Sequence, residues 1–182
     1  MRARGHERFA ARLREIITMK VAIGCDEAAY ALKESIKRHL RDTHPQVELV
    51  DFGTHHAEQS VLYPDIAIAV AQRVAAGDFA RAILLCGTGI GVAISANKVP
   101  GIRAAQCHDT YSAERARRSN DAQIITMGAR VIGSELANSI VDAWLKAEFD
   151  GGRSQPKVQR IADYERRGGT PAGLPNDVTL KR

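Results

Sequence analysis

Cysteine is scarce in this chain and badly spaced: Cys25, Cys86 and Cys107 are an odd number with no Cys-x-x-Cys pair among them. That excludes a closed disulfide framework and the usual zinc-ligand spacings, and it fits a reducing compartment. Long apolar runs are missing too. No stretch approaches the roughly 18 residues a membrane helix needs and no secretory signal is evident, so a cytoplasmic protein with no membrane partner is expected. Serine is absent from residues 1–18, which hold five Arg together with Glu7 and Glu15. A transit peptide would be Ser-rich and poor in acids, so this segment is read as a flexible N-terminal extension upstream of Met19. A basic patch is lacking as well. The net charge of +5 divides into +3 in residues 1–18, +3 in residues 166–182 and −1 in the body between. Basic ends on a near-neutral body do not make the clustered surface that nucleic acid requires.

What is present is one domain's worth of ordinary globular sequence: 182 residues, 45% hydrophobic and 26% charged, enough to bury a core. From Met19 the chain alternates strand and helix. Strands are expected at Lys20–Gly24, Val47–Phe52, Ala82–Cys86, Ile102–Cys107 and Gln123–Met127. Helices are expected from Asp26 to about Arg41, near Pro64–Ala76 with Pro64 in its first turn, from Val92, over Thr110–Arg118, over Ser134–Phe149 and over Gln155–Arg166. Short apolar runs without polar alternation read as strands covered on both faces. The pattern predicts an α/β fold: a three-layer, doubly wound parallel sheet of five strands ordered 2-1-3-4-5, Rossmann- or flavodoxin-like, with a C-terminal helical extension. Residues 19–166 form the single domain, and the Gly/Pro-rich end over 167–182 reads as a disordered tail.

In such a sheet ligands bind beyond the carboxyl ends of the strands where the order reverses, here between strands one and three. The loops at that point carry Cys25-Asp26-Glu27 and Cys86-Gly87-Thr88-Gly89-Ile90-Gly91. Glycines let backbone approach an anion, and a helix start behind them offers unpaired N–H groups, so this turn is read as the site of a negatively charged ligand. Cys86 is either a small buried hydrophobe or, beside those N–H groups, a base or nucleophile. Asp26 either caps the next helix or serves the switch point chemically. Thr88 can bond locally or touch substrate. His108 ends strand four on the same rim, whereas His55 and His56 read as solvated loop residues. Arg130, Arg153 and Lys157 follow strand five and the last long helix and are candidate phosphate ligands or plain surface charges. A dinucleotide site is a competing reading, with Asp109 about 20 residues beyond the turn, but G-x-G-x-G after the third strand departs from that fingerprint.

Taken together, KVAIGCDEAAYALK, Tyr63-Pro64-Asp65, CGTGIGVAISANKVPGIRAA, GARVIG, VDAWLKAEFDGGR and Tyr164-Glu165-Arg166 resemble ribose-5-phosphate isomerase B, of the wider group of ribose and galactose phosphate isomerases, in order over about residues 19–166. The resemblance implies a metal-free aldose–ketose isomerisation through a cis-enediolate, with no cofactor. It implies that Cys86 moves the proton between C1 and C2 and that Thr88 and Asp26 handle hydroxyl protons. Backbone N–H groups of Gly87, Gly89, Ile90 and Gly91 with the Asn120 side chain would hold the developing oxyanion. Tyr63 and Glu27 would line the sugar pocket, and Arg130, Arg153 and Lys157 the phosphate. A homodimer with active sites shared across the interface is implied, and dimers that can pair into tetramers. The substrate implied is ribose 5-phosphate, going to ribulose 5-phosphate, with erythrulose 4-phosphate, allose 6-phosphate or galactose 6-phosphate as alternatives. A non-catalytic phosphosugar-binding subunit is the further alternative.

Three departures bear on the substrate. Asp26-Glu27 stands where the family usually has Asp-His. Ser119 stands where the family has a histidine credited with opening the furanose ring. Gly151-Gly152-Arg153-Ser154 replaces G-G-R-H, and Lys157 replaces a second arginine and cannot grip a phosphate with two parallel bonds. His108 is therefore the candidate to replace the ring-opening base. Alternatively the substrate is a tetrose phosphate, which needs no ring opened.

Overall fold

The protein is described here from a computed structural model covering residues 19–168. The expected N-terminal extension, and the expected tail from residue 169 onward, lie outside the described residues. Five strands form one parallel sheet: β1 (Met19–Cys25), β2 (Val47–Asp51), β3 (Arg81–Cys86), β4 (Ala104–Gln106) and β5 (Ile124–Gly128). Their side chains alternate between two cores, as a period of two requires. Val21, Ile23, Ile83, Leu85, Ile125 and Met127 face one core, and Ala22, Ala82, Leu84, Cys86 and Ile124 face the other.

The first core is covered by α1 (Tyr30–Thr43), α4 (Thr110–Asn120) and α5 (Ser134–Lys146), through Leu32, Ile36, Leu40, Ala113, Ala116, Ile140 and Trp144. The second is covered by α2 (Tyr63–Ala75) and α3 (Ile90–Ala96), through Val70, Val74, Val92 and Ala96. A further helix, α6 (Gln155–Arg166), follows a 3-10 turn at Gly152–Ser154 and forms the expected extension. Among the described residues no helix is long and apolar enough to cross a membrane.

The expected strand order is corrected in one respect: the sheet runs 2-1-3-5-4, with β5 inside and β4 at the edge. Composition explains the exchange. Ile124–Gly128 is buried throughout, whereas β4 has only three residues, half-buried or exposed. Handedness agrees. Parallel crossovers are right-handed, so moving one way along the sheet uses one face and moving back uses the other. α4 lies on the face of α1, which also carries the chain backward, so β5 must fall between β3 and β4. Element ends differ modestly from expectation. The first helix begins at Tyr30 after a 3-10 turn at Glu27–Ala29, and α5 stops at Lys146 instead of Phe149.

One buried charge network fastens the sheet's end near β1. Lys33 is fully buried, and its Nζ donates to both oxygens of Asp51 at 2.8 Å and to the Thr54 carbonyl at 2.5 Å. Thr54 N–H in turn donates to Cys25 O at 2.8 Å, and Cys25 N–H to Gly53 O at 2.7 Å. The network thus anchors the residue that precedes Asp26. Burial pushes the Asp51 carboxyl up, but hydrogen bonds from Lys33, Lys37 and Gly53 outweigh it and hold the group below its usual range. A depressed carboxyl contributes stability that is complete above its unfolded value, near pH 4, and is lost as pH falls through the folded one. Asp51→Ala, which strands the Lys33 charge, is expected to destabilise the fold by about 3 kcal/mol at neutral pH in urea unfolding, with the gap between variant and parent closing in acid.

Candidate active site

Three carboxyl strand ends meet at the switch point. β1 and β3 are in register with Cys25 beside Leu85, and β3 and β5 with Cys86 beside Gly128. The turn after β3 is tied to the neighbouring strand end by backbone: Ala129 N–H donates to Cys86 O at 2.9 Å and Arg130 N–H to Gly87 O at 3.0 Å. The turn's far side is held by Thr126 Oγ1, which donates to Gly89 O at 2.8 Å, and by Gln106 Nε2, which donates to Thr88 O at 2.7 Å. Gly89 has φ +78°, and a Cβ on it would stand 2.8 Å from the Met127 carbonyl carbon. A Cβ on Gly128 would stand 2.6 Å from the Thr88 carbonyl group. Only glycines allow this approach.

Inside the turn, Gly89 N–H donates to Cys86 Sγ at 3.1 Å, a bond that strengthens when sulfur carries negative charge. The other two thiols sit in apolar surroundings: burial pushes Cys25 up to about 11 and Cys107 up to about 12. Ile90 N–H is turned toward Thr88 Oγ1 at 3.3 Å. The Tyr63 ring lies on the backbone of Gly91, 2.5 Å from where a Cβ would stand, and the Arg130 side chain lies over Gly87.

Asp26 does not cap the following helix. Its side chain makes no capping hydrogen bond, and its Oδ1 is buried without a hydrogen-bond partner among the described residues. Burial and the adjacent Glu27 carboxylate raise its pKa, and the backbone N–H groups of Ala29 and Ala28 and then the Arg130 charge act in the opposite sense. A buried carboxyl oxygen with no partner, at the end of the strand next to the one that carries Cys86, can serve as a proton relay to a substrate hydroxyl. Glu27 reaches across to accept from Val61 N–H at 3.4 Å, holding the loop that leads to Tyr63. His108 is on the rim as expected, but its Nε2 accepts from Gly128 N–H at 3.0 Å. In the neutral imidazole that bond leaves the proton on Nδ1 and no free lone pair.

The remaining candidates are elsewhere. Asn120 ends α4, four residues before β5 begins, at the amino edge of the sheet. Cys86 is level with Gly128 at the carboxyl edge, and five strand residues at about 3.3 Å each separate the two edges by roughly 13 Å. Ser119, beside Asn120, accepts a hydrogen bond from the Arg115 guanidinium. Asp150 is tied to the same helix end, with its N–H donating to Arg118 O at 3.1 Å and its carboxylate accepting from Arg118 Nε at 3.0 Å. The chain then passes through Arg153 to Lys157 in the first turn of α6. One chain therefore brings Asp26, Glu27, Tyr63, Cys86, Thr88, His108 and Arg130 to the carboxyl edge, whereas Asn120 ends α4 at the opposite edge and Arg153 follows the loop that Asp150 ties to that helix end. Sequence reasoning missed Thr126, Gln106 and Gly128, which position the turn. A lone threonine inside the apolar run of β5 was the available signal for the first.

Comparison with known proteins supplies the family. A family profile described as Ribose/Galactose Isomerase matches residues 21–161. The chain is 55% identical to a Listeria innocua protein named Ribose-5-P isomerase B, over 82% of this chain and 99% of that one. It is 53% identical to a Pectobacterium atrosepticum D-erythrulose-4-phosphate isomerase, over 81% of this chain and 95% of that one. The Clostridium thermocellum ribose-5-phosphate isomerase B structure superposes with a TM-score of 0.78 at 49% identity, covering 82% of this chain and 99% of that one.

Because the Gly128 backbone leaves no room for a methyl group, Gly128→Ala is expected to displace the turn and lower kcat about tenfold or more, with far-UV circular dichroism unchanged. A steady-state assay beside the spectrum checks this.

Proposed function

The chain belongs to the Ribose/Galactose Isomerase family, and from that premise we propose that it interconverts the aldose and ketose forms of a terminally phosphorylated sugar at the Cys86 turn. The observation that carries the reading is the Gly89 N–H bonded to Cys86 Sγ at 3.1 Å inside a glycine turn, with Asp26, whose Oδ1 is unpartnered, directly following the adjacent strand β1. The Cys86 thiolate takes the proton from the carbon next to the carbonyl. Charge moves onto the carbonyl oxygen as a cis-enediolate, and the same proton returns to the neighbouring carbon. Meanwhile a hydroxyl proton passes between O1 and O2 through Thr88 and Asp26, so the sum is one proton moved between the carbons, one moved between the oxygens and the carbonyl exchanged. First-turn N–H groups of α3, together with Asn120, stabilise the oxyanion. Arg130, Arg153 and Lys157 take the phosphate, Arg with two parallel bonds and Lys as a point charge.

Asn120 lies at the edge opposite Cys86 of its own chain and Arg153 follows the loop tied to that helix end, so each site draws them from a second copy in a homodimer. An exposed apolar rim beside the turn supports this, with Leu62 72%, Ile90 52% and Ile94 57% exposed.

On substrate, the family resemblance carries ribose 5-phosphate. A second reading, a tetrose phosphate such as erythrulose 4-phosphate, is favoured by one specific observation: the two side chains considered for furanose ring opening, Ser119 at the family's histidine position and His108, are both engaged. The Ser119 hydroxyl is engaged by Arg115, and His108 Nε2 by Gly128 N–H. A tetrose with its terminal hydroxyl phosphorylated has no hydroxyl left to close that ring.

Cys86→Ala is expected to lower kcat/KM about a thousandfold or more on every phosphosugar turned over. Activity retained in this variant refutes the mechanism, and an inactive wild-type homomer returns the chain to a binding role. In a panel of ribose 5-phosphate, erythrulose 4-phosphate, allose 6-phosphate and galactose 6-phosphate, a tetrose preference in kcat/KM selects the second reading and a pentose preference the first. For the shared site, Cys86→Ala and Arg153→Ala chains, each inactive alone, are expected to recover up to about a quarter of wild-type activity when co-expressed, because random pairing gives half heterodimers with one intact site of two. No recovery would mean that each chain completes its own site.

A further inference from the structure

Away from the catalytic turn, one group of donors of the kind that hold transition metals converges on a point. His39 is in the last turn of α1, His44 is its C-terminal cap residue, and Asp142 lies on α5, packed against it. The Nε2 atoms of both imidazoles stand 2.7 Å from the same oxygen, Asp142 Oδ1. All three ligand atoms lie within 4.8 Å of one another. Val47 N–H donates to His44 O at 2.9 Å just as β2 opens, and Val47 pairs with Met19 at the start of β1, so the cluster is at the amino edge of the sheet, opposite Cys86.

We propose that His39, His44 and Asp142 form a structural site for a borderline divalent transition metal such as Zn²⁺, clipping the end of α1 to α5. Two imidazoles and one carboxylate suit Zn²⁺, Co²⁺ or Ni²⁺, whereas Mg²⁺ and Ca²⁺ want all-oxygen shells. At metal–ligand distances near 2.1 Å and tetrahedral angles the ligand atoms stand roughly 3.4 Å apart, so small side-chain rotations open the present contacts enough. The supporting shell is also present. Binding through Nε2 puts the proton of His44 on Nδ1, and the Gln46 amide lies 3.4 Å from that atom, where its oxygen can accept on an amide flip. The Asp142 carboxyl is anionic at neutral pH: burial pushes it up, but hydrogen bonds from His39 and His44 hold it below its usual range. Solvent reaches the cluster, with the His39 and Asp142 side chains 18% and 29% exposed. That exposure allows water to serve as the fourth ligand.

The test is zinc competition against a chromophoric chelator on the metal-stripped full chain, in wild type and in Cys86→Ser. One zinc per chain is expected in both. His39→Ala and Asp142→Asn should each weaken binding at least tenfold, and zinc should raise Tm in wild type but not in His39→Ala. Since His39 is only half-buried, that variant keeps the test open if Asp142→Asn fails to fold. Co²⁺ should give the visible absorption of tetrahedral coordination, lost in His39→Ala. Absence of stoichiometric zinc in wild type, binding unchanged in both ligand variants, or binding that disappears in Cys86→Ser would overturn the assignment.

Discussion

The backbone of Gly128 runs against the backbone of Thr88 with no room for a side chain, and the chemistry at Cys86 depends on that contact. The turn after β3 is short of interactions of its own. Its carbonyls are taken up by β5 and the loop behind it, Cys86 O by Ala129, Gly87 O by Arg130 and Gly89 O by Thr126. This fastening aims the Gly89 N–H at the sulfur and turns the first-turn N–H groups of α3 toward the cleft. It also shows why strand order matters to function. In the order 2-1-3-4-5, Gln106 and Cys107 would adjoin the turn, and their Cβ atoms would occupy the space that Gly128 leaves open. A fully buried β5 beside β3, ending in glycine, is the arrangement that lets the two strand ends close on each other.

The same geometry divides the candidate residues. A helix of 11 residues at 1.5 Å per residue carries the chain about 16 Å from Asp109 at the carboxyl edge to Asn120 at the amino edge. Arg118 and Asp150 then pin the following loop to that helix end. Residues that a single sugar phosphate would span are thereby placed at both ends of one rigid layer, and no side-chain rotation brings them together. The proposed second copy would resolve the distance without any deformation of the fold, and Leu62, Ile90 and Ile94 are the exposed apolar side chains around the turn that could receive it.

Much of this was legible in the residues. Alternating apolar strands and amphipathic helices located the main elements to within a few residues, because the central strands β3 and β5 are buried throughout and the flanking helices carry one apolar face. The switch point was legible too, since it depends only on β1 and β3. The order of β4 and β5 was missed because neighbour relations follow from which face a helix covers, and α4, with few apolar residues, does not advertise its face. His108 is the instructive case. Position alone marks it as a base on the rim, but Gly128 N–H occupies the lone pair that a base requires. Sequence leaves Asp26 open between a helix cap and a role at the switch point, and of the two the structure removes the cap, since its side chain makes no capping hydrogen bond. The Lys33–Asp51–Thr54 network had no local signal, since a lysine at a core-facing helical position looks like a pattern error until its partner is seen 18 residues away.

The three thiols show why residue type alone cannot assign a catalytic group. Cys25 and Cys86 end adjacent strands one register step apart, yet their environments are opposite. Cys25 points into the core under α1, where burial keeps its proton on. Cys86 points to the other face, and the chain immediately turns back over it with glycine N–H groups. The difference arises from the alternation of side chains along a strand: shifting either cysteine by one residue would exchange core for turn. With sulfur fixed on the α2–α3 face, the groups that can reach a substrate carbon from it are those of the turn itself, Tyr63 at the start of α2, and Asp26 from the strand alongside. In the proposed mechanism the proton taken by Cys86 and the hydroxyl proton handled by Asp26 belong to neighbouring atoms of one substrate, as an aldose–ketose exchange requires.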